Sequence, residues 1–429
     1  MFEAATFARR RRAFMDRLEP GSAALLFAAP LSIRSNDVEY RFRQDSDFYY
    51  LTGFPEPDAV ALLLPGHPRE EFLLFVEPRD AERETWVGPR AGVEGAMTVY
   101  GADRAFPLAE FPEAARPYLQ ERERLYLGRI RDPARAERVF SWFREWQSPS
   151  RVRGPRILCD AGEVLHEMRL RKSSDEIAAL RRSLEVTGRA HLAAMGARRP
   201  GMYEYELEAL LEYEFRRGGA AGPAYPSIVA SGPNATVLHY TANDRRMEEG
   251  DLLLVDAGAE LEFYCSDVTR TYPVGRAFVG RQRAFYDIVL AAQEAAIRKV
   301  APGIAFDEVH KEALRVLSTG LRDEKILSAS VEEILDRELY RPYFMHRTSH
   351  WLGIDVHDVG RYEVDGKPRK LEPGMVLTVE PGLYFSRERD DVPEDLRGTG
   401  IRIEDDVLVT PEGHEVLSAH VPKLPEGVR

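Results

Sequence analysis

Two nine-residue stretches constrain this chain more than any other feature. GDLLLVDAG at 250–258 and GMVLTVEPG at 374–382 follow one plan: a glycine, a short apolar run, an acidic residue, then a second glycine. Upstream of each lies another matching pair, PGMYEYELE at 200–208 and PGIAFDEVH at 302–310. Short apolar runs bounded by glycine read as buried strands. Motifs used twice in the same order predict two similar halves about a pseudo-two-fold axis. The acidic strand ends, Asp256 and Glu380, then meet between the halves.

The halves occupy the second part of a 429-residue chain, which is too long for one ordinary core. Residues 1 to about 165 read as an α/β domain. Apolar strand-length runs lie at 23–28, 59–64 and 71–76, with further strands at 122–128 and 156–160 and a helix at 133–146. The arginine-rich start reads as a surface helix from about 5 to 18. The segment YRFRQDSDFYYLTGF at 40–54 is either a binding surface or an aromatic edge of the core. Ser173 or Ser174, followed by Asp175 and Glu176, forms a helix start. The expected organisation is therefore one domain over 1–170 and a second over 171–429.

Composition narrows the partners. There are 59 basic and 71 acidic residues, a net charge of -12. Phosphate binding needs a basic surface, so nucleic acid is disfavoured. No apolar run reaches membrane-spanning length, and no apolar h-region accompanies the N-terminal arginines. Only Cys159 and Cys265 occur, which argues against a disulfide framework and for a reducing, cytoplasmic compartment.

The chemistry gathers around HRTSHWLGIDVHDVG at 346–360, which holds His346, His350 and His357 in a chain with 10 histidines. Imidazole is the commonest neutral metal ligand and the usual acid–base group near pH 7. Carboxylates join them. YCSDVTRTY at 264–272 reads as a return strand, and a hairpin with the Asp256 strand brings Asp267 close to Asp256. GIRIEDDVLV at 400–409 reads as another strand, with Ile401 and Ile403 on one face and Arg402 and Glu404 on the other. Taken singly, Asp256 also reads as a turn cap and the Arg402 face as a solvated edge. Taken together, Asp256, Asp267, Glu380 and Glu404 lie in apolar strands, where carboxylates need partners. Four ionised carboxylates repel one another, and two divalent cations cancel their charge. Oxygen ligands with one imidazole suit Mn²⁺, Zn²⁺, Co²⁺ or Fe²⁺. Two metals about 3.5–4 Å apart are a known device for activating water and polarising a carbonyl.

The ordered set Asp256, Asp267, His350, Glu380 and Glu404 resembles the five ligands of the pita-bread metallopeptidases. SHWLGIDVHDVG at 349–360 and the 40–54 segment are similar to the Xaa-Pro aminopeptidases within that group. The resemblance runs from the first helix to about residue 415. It implies an α/β N-terminal domain followed by an α+β pita-bread catalytic domain with an internal pseudo-two-fold repeat. It also implies two divalent metal ions per chain, with Mn²⁺ favoured. In that pattern Asp256 chelates one metal, Asp267 and Glu404 bridge both, and His350 and Glu380 hold the other. Glu380 takes the proton of the bridging water. His357 and His239, the latter in SGPNATVLHY at 231–240, match two active-site histidines. Arg402 orients the carboxylates, and His346 and Tyr384 line the proline side of the pocket.

The activity implied is hydrolysis of the bond between an N-terminal residue and a following proline in peptides. Such a bond is a tertiary amide without an N–H, so the enzyme must read the ring. Prolidase, which cuts only dipeptides, and non-catalytic pita-bread binding modules are the alternatives. Trp86, in ETWVGPR at 84–90, is an apolar ring among charged and turn-forming residues. The resemblance implies a homodimer or homotetramer that brings this ring to a neighbour's active site.

Overall fold

The computed structural model describes residues 2–120, 122–130, 132–146, 154–275 and 277–427. The chain divides into two compact units, Met1–Met168 and Arg169–Arg429.

The first unit is built on a six-stranded mixed sheet. Its strands are β1 (Ser22–Phe27), β2 (Val60–Leu63), β3 (Phe72–Val76), β4 (Arg104–Pro107), β5 (Arg124–Leu127) and β6 (Ile157–Asp160). Their spatial order is β4-β3-β2-β1-β5-β6. The three central runs are apolar at nearly every position because both faces are covered, and β1, β2 and β3 are buried throughout.

The helix α1 (Ala4–Met15) is less of a surface element than its arginines suggest. Arg10 and Arg11 are buried. Arg11 stacks 3.9 Å over the Phe72 ring and donates to Leu51 O at 3.0 Å. A planar guanidinium that stacks and hydrogen-bonds tolerates such burial. The 40–54 segment is mostly a core edge. Asp45 caps α2 (Ser46–Thr52) by accepting from Phe48 N at 3.0 Å, and Phe48, Tyr49, Tyr50 and Phe54 are buried, while Tyr40 is exposed.

The second unit shows the duplication. A capping box between Ser173 and Glu176 starts α3 (Ser174–Ala197), which packs with α4 (Glu204–Arg217). In the second copy α5 (Gln282–Lys299) packs with α6 (Phe306–Asp323). Strand β7 (Leu252–Asp256) pairs antiparallel with β10 (Thr269–Pro273). Its counterpart β11 (Val376–Val379) pairs antiparallel with β14 (Asp405–Thr410). The glycines that open the matched motifs share one backbone conformation, with φ +90 and +84 at Gly201 and Gly303, and +88 and +89 at Gly250 and Gly374.

Two strand expectations are corrected. The stretch 264–272 is not one return strand. β8 (Ala259–Leu261) and β9 (Tyr264–Cys265) form a small hairpin of their own, turned by Glu262 and Phe263 in the left-handed region. Asp256 therefore faces Thr269 across the ladder, and Asp267 sits in the link between β9 and β10. That link passes so close to Gly258 that an added Cβ would lie 1.7 Å from Ser266 O. Likewise 400–409 is two strands. β13 (Thr399–Arg402) pairs with β12 (Gly382–Phe385), β14 belongs to another sheet, and the chain breaks at Ile403 and Glu404. All four residues 401–404 are buried, which removes the solvated-edge reading. Among the described residues no helix is long and apolar enough to cross a membrane.

Candidate metal centre and peptide cavity

The strand breaks deliver the carboxylates. A ladder residue must alternate faces, but Asp267 and Glu404 lie just outside their ladders. Glu404 is fixed by its N–H to Thr269 O at 3.0 Å, and its Oε2 accepts from Thr269 Oγ1 at 2.8 Å. Asp267 donates its N–H to Asp406 Oδ2 at 3.1 Å. Glu380 follows β11 directly and is held by its N–H to Thr348 O at 2.8 Å.

His350 is oriented from two sides. Its backbone N–H donates to Thr378 Oγ1 at 3.1 Å, and its Nδ1 lies 3.0 Å from Trp351 O. With that carbonyl as acceptor, Nδ1 carries the proton and Nε2 presents its lone pair to the carboxylates. Nε2 stands 3.4 Å from Asp267 Oδ2 and 3.7 Å from Glu380 Oε1. One ligand atom each of Asp267, His350 and Glu404 falls within 4.8 Å of the others. Asp256 joins through Tyr225, whose hydroxyl lies 2.7 Å from Asp256 Oδ1 and also contacts Asp267 Oδ1. The five expected ligands are thus brought together.

Their electrostatics demand a cation. Burial, and then the charge of Asp256, push the Asp267 carboxyl well above the ordinary carboxylate range. Burial and then Asp267 do the same to Glu404. Burial and then Glu404 raise Glu380 to about 8. Carboxylates this crowded ionise fully only when positive charge is supplied, and buried oxygen and imidazole donors fit divalent ions.

The other predicted residues lie around the same centre, with one exception. Arg402 donates from Nη2 to Asp256 Oδ2 at 2.6 Å and from Nη1 to Tyr384 Oη at 3.1 Å. Tyr384 Oη lies 2.8 Å from His346 Nε2, and His346 Nδ1 lies 2.7 Å from Arg347 O. Burial, and then Arg402, lower His346 to about 3, so this ring is neutral. A cavity of about 850 Å³ opens over the carboxylates, and His239, His346 and His357 line it. The His357 ring stands edge-on to His350, with centroids 4.4 Å apart, and burial and then His350 lower its pKa. Tyr384 does not line the cavity as expected: it is 1% exposed and stands behind His346. The exception is Trp86, which lies in the first unit, is 85% exposed, and is not among the lining residues either.

Tyr225, Thr269 and His310 were not legible as site residues. His310 lines the cavity and lies 2.7 Å from Thr348 Oγ1. Its place in the PGIAFDEVH repeat was visible, but the repeat gives no chemistry. Tyr225 sits in a loop, and only the fold shows what its hydroxyl reaches.

Comparison with known proteins agrees with this centre. Residues 178–411, more than half of the chain, match metallopeptidase family M24, and residues 7–126 match the aminopeptidase P N-terminal domain. The Xaa-Pro aminopeptidase of Escherichia coli is 46% identical over 98% of this chain and 96% of its own length. The chain belongs to the aminopeptidase P family of M24 metallopeptidases. Its structure is similar to that of Pseudomonas aeruginosa aminopeptidase PepP, with a TM-score of 0.98, 47% identity, and coverage of 100% of this chain and 97% of the other. It is also similar to zinc-substituted E. coli aminopeptidase P in complex with product, with a TM-score of 0.96, 45% identity and coverage of 100% and 97%. The M24 unit is the pita-bread fold, and the chain is a metallo-aminopeptidase that uses divalent metal.

Proposed function

We propose that this enzyme removes the N-terminal residue from peptides whose second residue is proline, using two divalent ions per chain, with manganese favoured. The observation that carries this reading is the convergence of four carboxylates and His350 beneath one cavity. The names of its close relatives supply the Xaa-Pro specificity. Asp256 would hold one ion, Asp267 and Glu404 both, and His350 and Glu380 the other. When bound, the ions supply Lewis-acid polarisation of the scissile carbonyl and acidify water.

The chain's own residues do the rest. Glu380 accepts a proton from the attacking water and returns it to the prolyl nitrogen as the C–N bond breaks. The products are a free amino acid and a peptide that begins with proline. His357 and His239 face the cavity beside the carboxylates, suited to hydrogen-bond the developing oxyanion and the substrate backbone. Arg402 holds Asp256 and Tyr384 in register, and His346, held from behind by the Tyr384 hydroxyl, forms the wall for the proline ring. The acidic cluster also suits a free α-amine, which restricts cleavage to an N-terminus. We place the enzyme in the cytoplasm, as a homodimer or homotetramer in which the N-terminal unit and Trp86 gate a neighbouring chain's cavity. The test is an assay on Gly-Pro, Arg-Pro-Pro and a longer Xaa-Pro peptide, with metal restored after chelation. Cleavage of the longer peptides supports the aminopeptidase. Turnover of Gly-Pro alone would make the enzyme a prolidase, and no turnover in any metal would make it a binding module.

A further inference from the structure

Next to the metal centre in the chain, and outside the residues that line the cavity, lies a buried ion network that the proposed chemistry does not use. Asp405 is completely buried and accepts from Arg270 Nη2 at 2.7 Å, Lys423 Nζ at 2.6 Å, Gln293 Nε2 at 2.7 Å and Ser418 Oγ at 2.6 Å. Two cations thus serve one carboxylate. None of these five residues lines the cavity. Yet the network ends on the main chain of two proposed ligands. Arg270 Nη1 donates to the carbonyl of Glu404 itself. Ser418 Oγ accepts from Asp406 N at 3.1 Å, and Asp406 Oδ2 accepts from Asp267 N at 3.1 Å. The segment that closes the network is tied down as well: Arg270 donates to Val421 O at 2.9 Å and Pro422 O at 3.1 Å, and Tyr286 donates to Lys423 O at 2.7 Å.

Buried ion pairs are poor sources of stability, because desolvation offsets their attraction and apolar replacements are often neutral. Such a network can instead fix geometry. Asp267 and Glu404 both sit where strands break, and the network adds one main-chain contact to each. We propose that Lys423 is a positioning residue for the metal centre, acting through Asp405 and Arg270 on the backbone of Glu404 and through Ser418 and Asp406 on that of Asp267. The inference rests on the metal-ligand reading above.

The test uses the full chain, stripped by chelation and titrated calorimetrically with Mn²⁺, with the visible spectrum of the Co²⁺ form as second readout. Lys423→Met leaves Arg270 as the one cation on Asp405 and should still fold without metal, at a lowered melting temperature. Measured well below that temperature, it should bind Mn²⁺ about 10–100-fold more weakly and shift the Co²⁺ bands. Lys423→Arg, which keeps the charge, should restore both. Wild-type Mn²⁺ affinity and an unchanged Co²⁺ spectrum in Lys423→Met would overturn the proposal. Should that variant fail to fold, Ser418→Ala replaces it: weakened Mn²⁺ binding supports the proposal, and wild-type binding overturns it. A wild-type chain that binds no metal overturns the metal centre along with it, a result distinct from variants that bind as well as wild type.

Discussion

Arg402 reaches Asp256 through a 2.6 Å hydrogen bond from Nη2 to Oδ2, and the arginine is only 3% exposed. Its other nitrogens are also engaged, Nη1 with Tyr384 Oη at 3.1 Å and Nε with Thr269 Oγ1 at 3.3 Å. One planar fork therefore ties a proposed metal ligand to the tyrosine behind His346 and to the residue that holds Glu404.

A lysine keeps the charge but cannot reach three acceptors from one plane. Arg402→Lys should therefore lower kcat/KM by about 10–100-fold, the equivalent of one lost charged hydrogen bond of about 1.5–3 kcal/mol. Steady-state kinetics on an Xaa-Pro tripeptide decide this. A value within twofold of wild type would show that the fork is not needed.

Metal content and turnover should separate. Asp267→Ala and Glu404→Ala remove the proposed shared ligands and should deplete the metal found by elemental analysis. His357→Ala should keep the metal and lower kcat by about 10²–10⁴-fold if His357 handles protons. Full metal in Asp267→Ala would sink the ligand assignment, and normal kcat in His357→Ala would reduce that ring to packing.

Two histidines should each cost stability in mild acid, while the raised carboxylates of the metal centre act in the opposite direction. Burial, and then Arg347, lower His310 to about 4, and burial lowers His191 to about 4. Above the unfolded value near 6.5 both states are neutral and nothing is lost. As pH drops from about 6.5 to 4, the unfolded chain takes up protons that the folded chain refuses at these two rings, so their contribution to stability declines across that window. Urea midpoints of wild type and His310→Asn, compared between about pH 4.5 and 7, should diverge, the variant losing less towards acid. Equal slopes in both proteins would remove His310 from the account.

Trp86 offers the test of assembly. Light scattering should find a dimer or tetramer, and Trp86→Ala should alter the preference between short and long Xaa-Pro peptides. A fully active monomer would end the idea of a gate supplied by a neighbouring chain.

Much of this was legible in the chain itself. The repeat at 250–258 and 374–382 announced the duplication because a glycine in the left-handed region leaves a mark that other residues rarely replace. The clustering of the proposed ligands was legible because ionisable groups in apolar runs need an explanation. The strand breaks were not. Residues 264–272 and 400–409 are uniformly strand-like, and only tertiary packing, such as the crowding of Ser266 O against Gly258, shows where each ladder stops. Arg10 and Arg11 misled in the same way, since charge alone does not reveal a stacked, hydrogen-bonded guanidinium.

The duplication also sets an order of events during synthesis. A ribosome that has released the first copy as far as Pro273 has made Asp256 and Asp267, but not His350, Glu380 or Glu404. Until the second copy emerges, these two acidic side chains face a partner that does not yet exist. The centre becomes complete only when nearly the whole polypeptide has emerged. Loading of a centre that needs all five proposed ligands is then a late, finishing step.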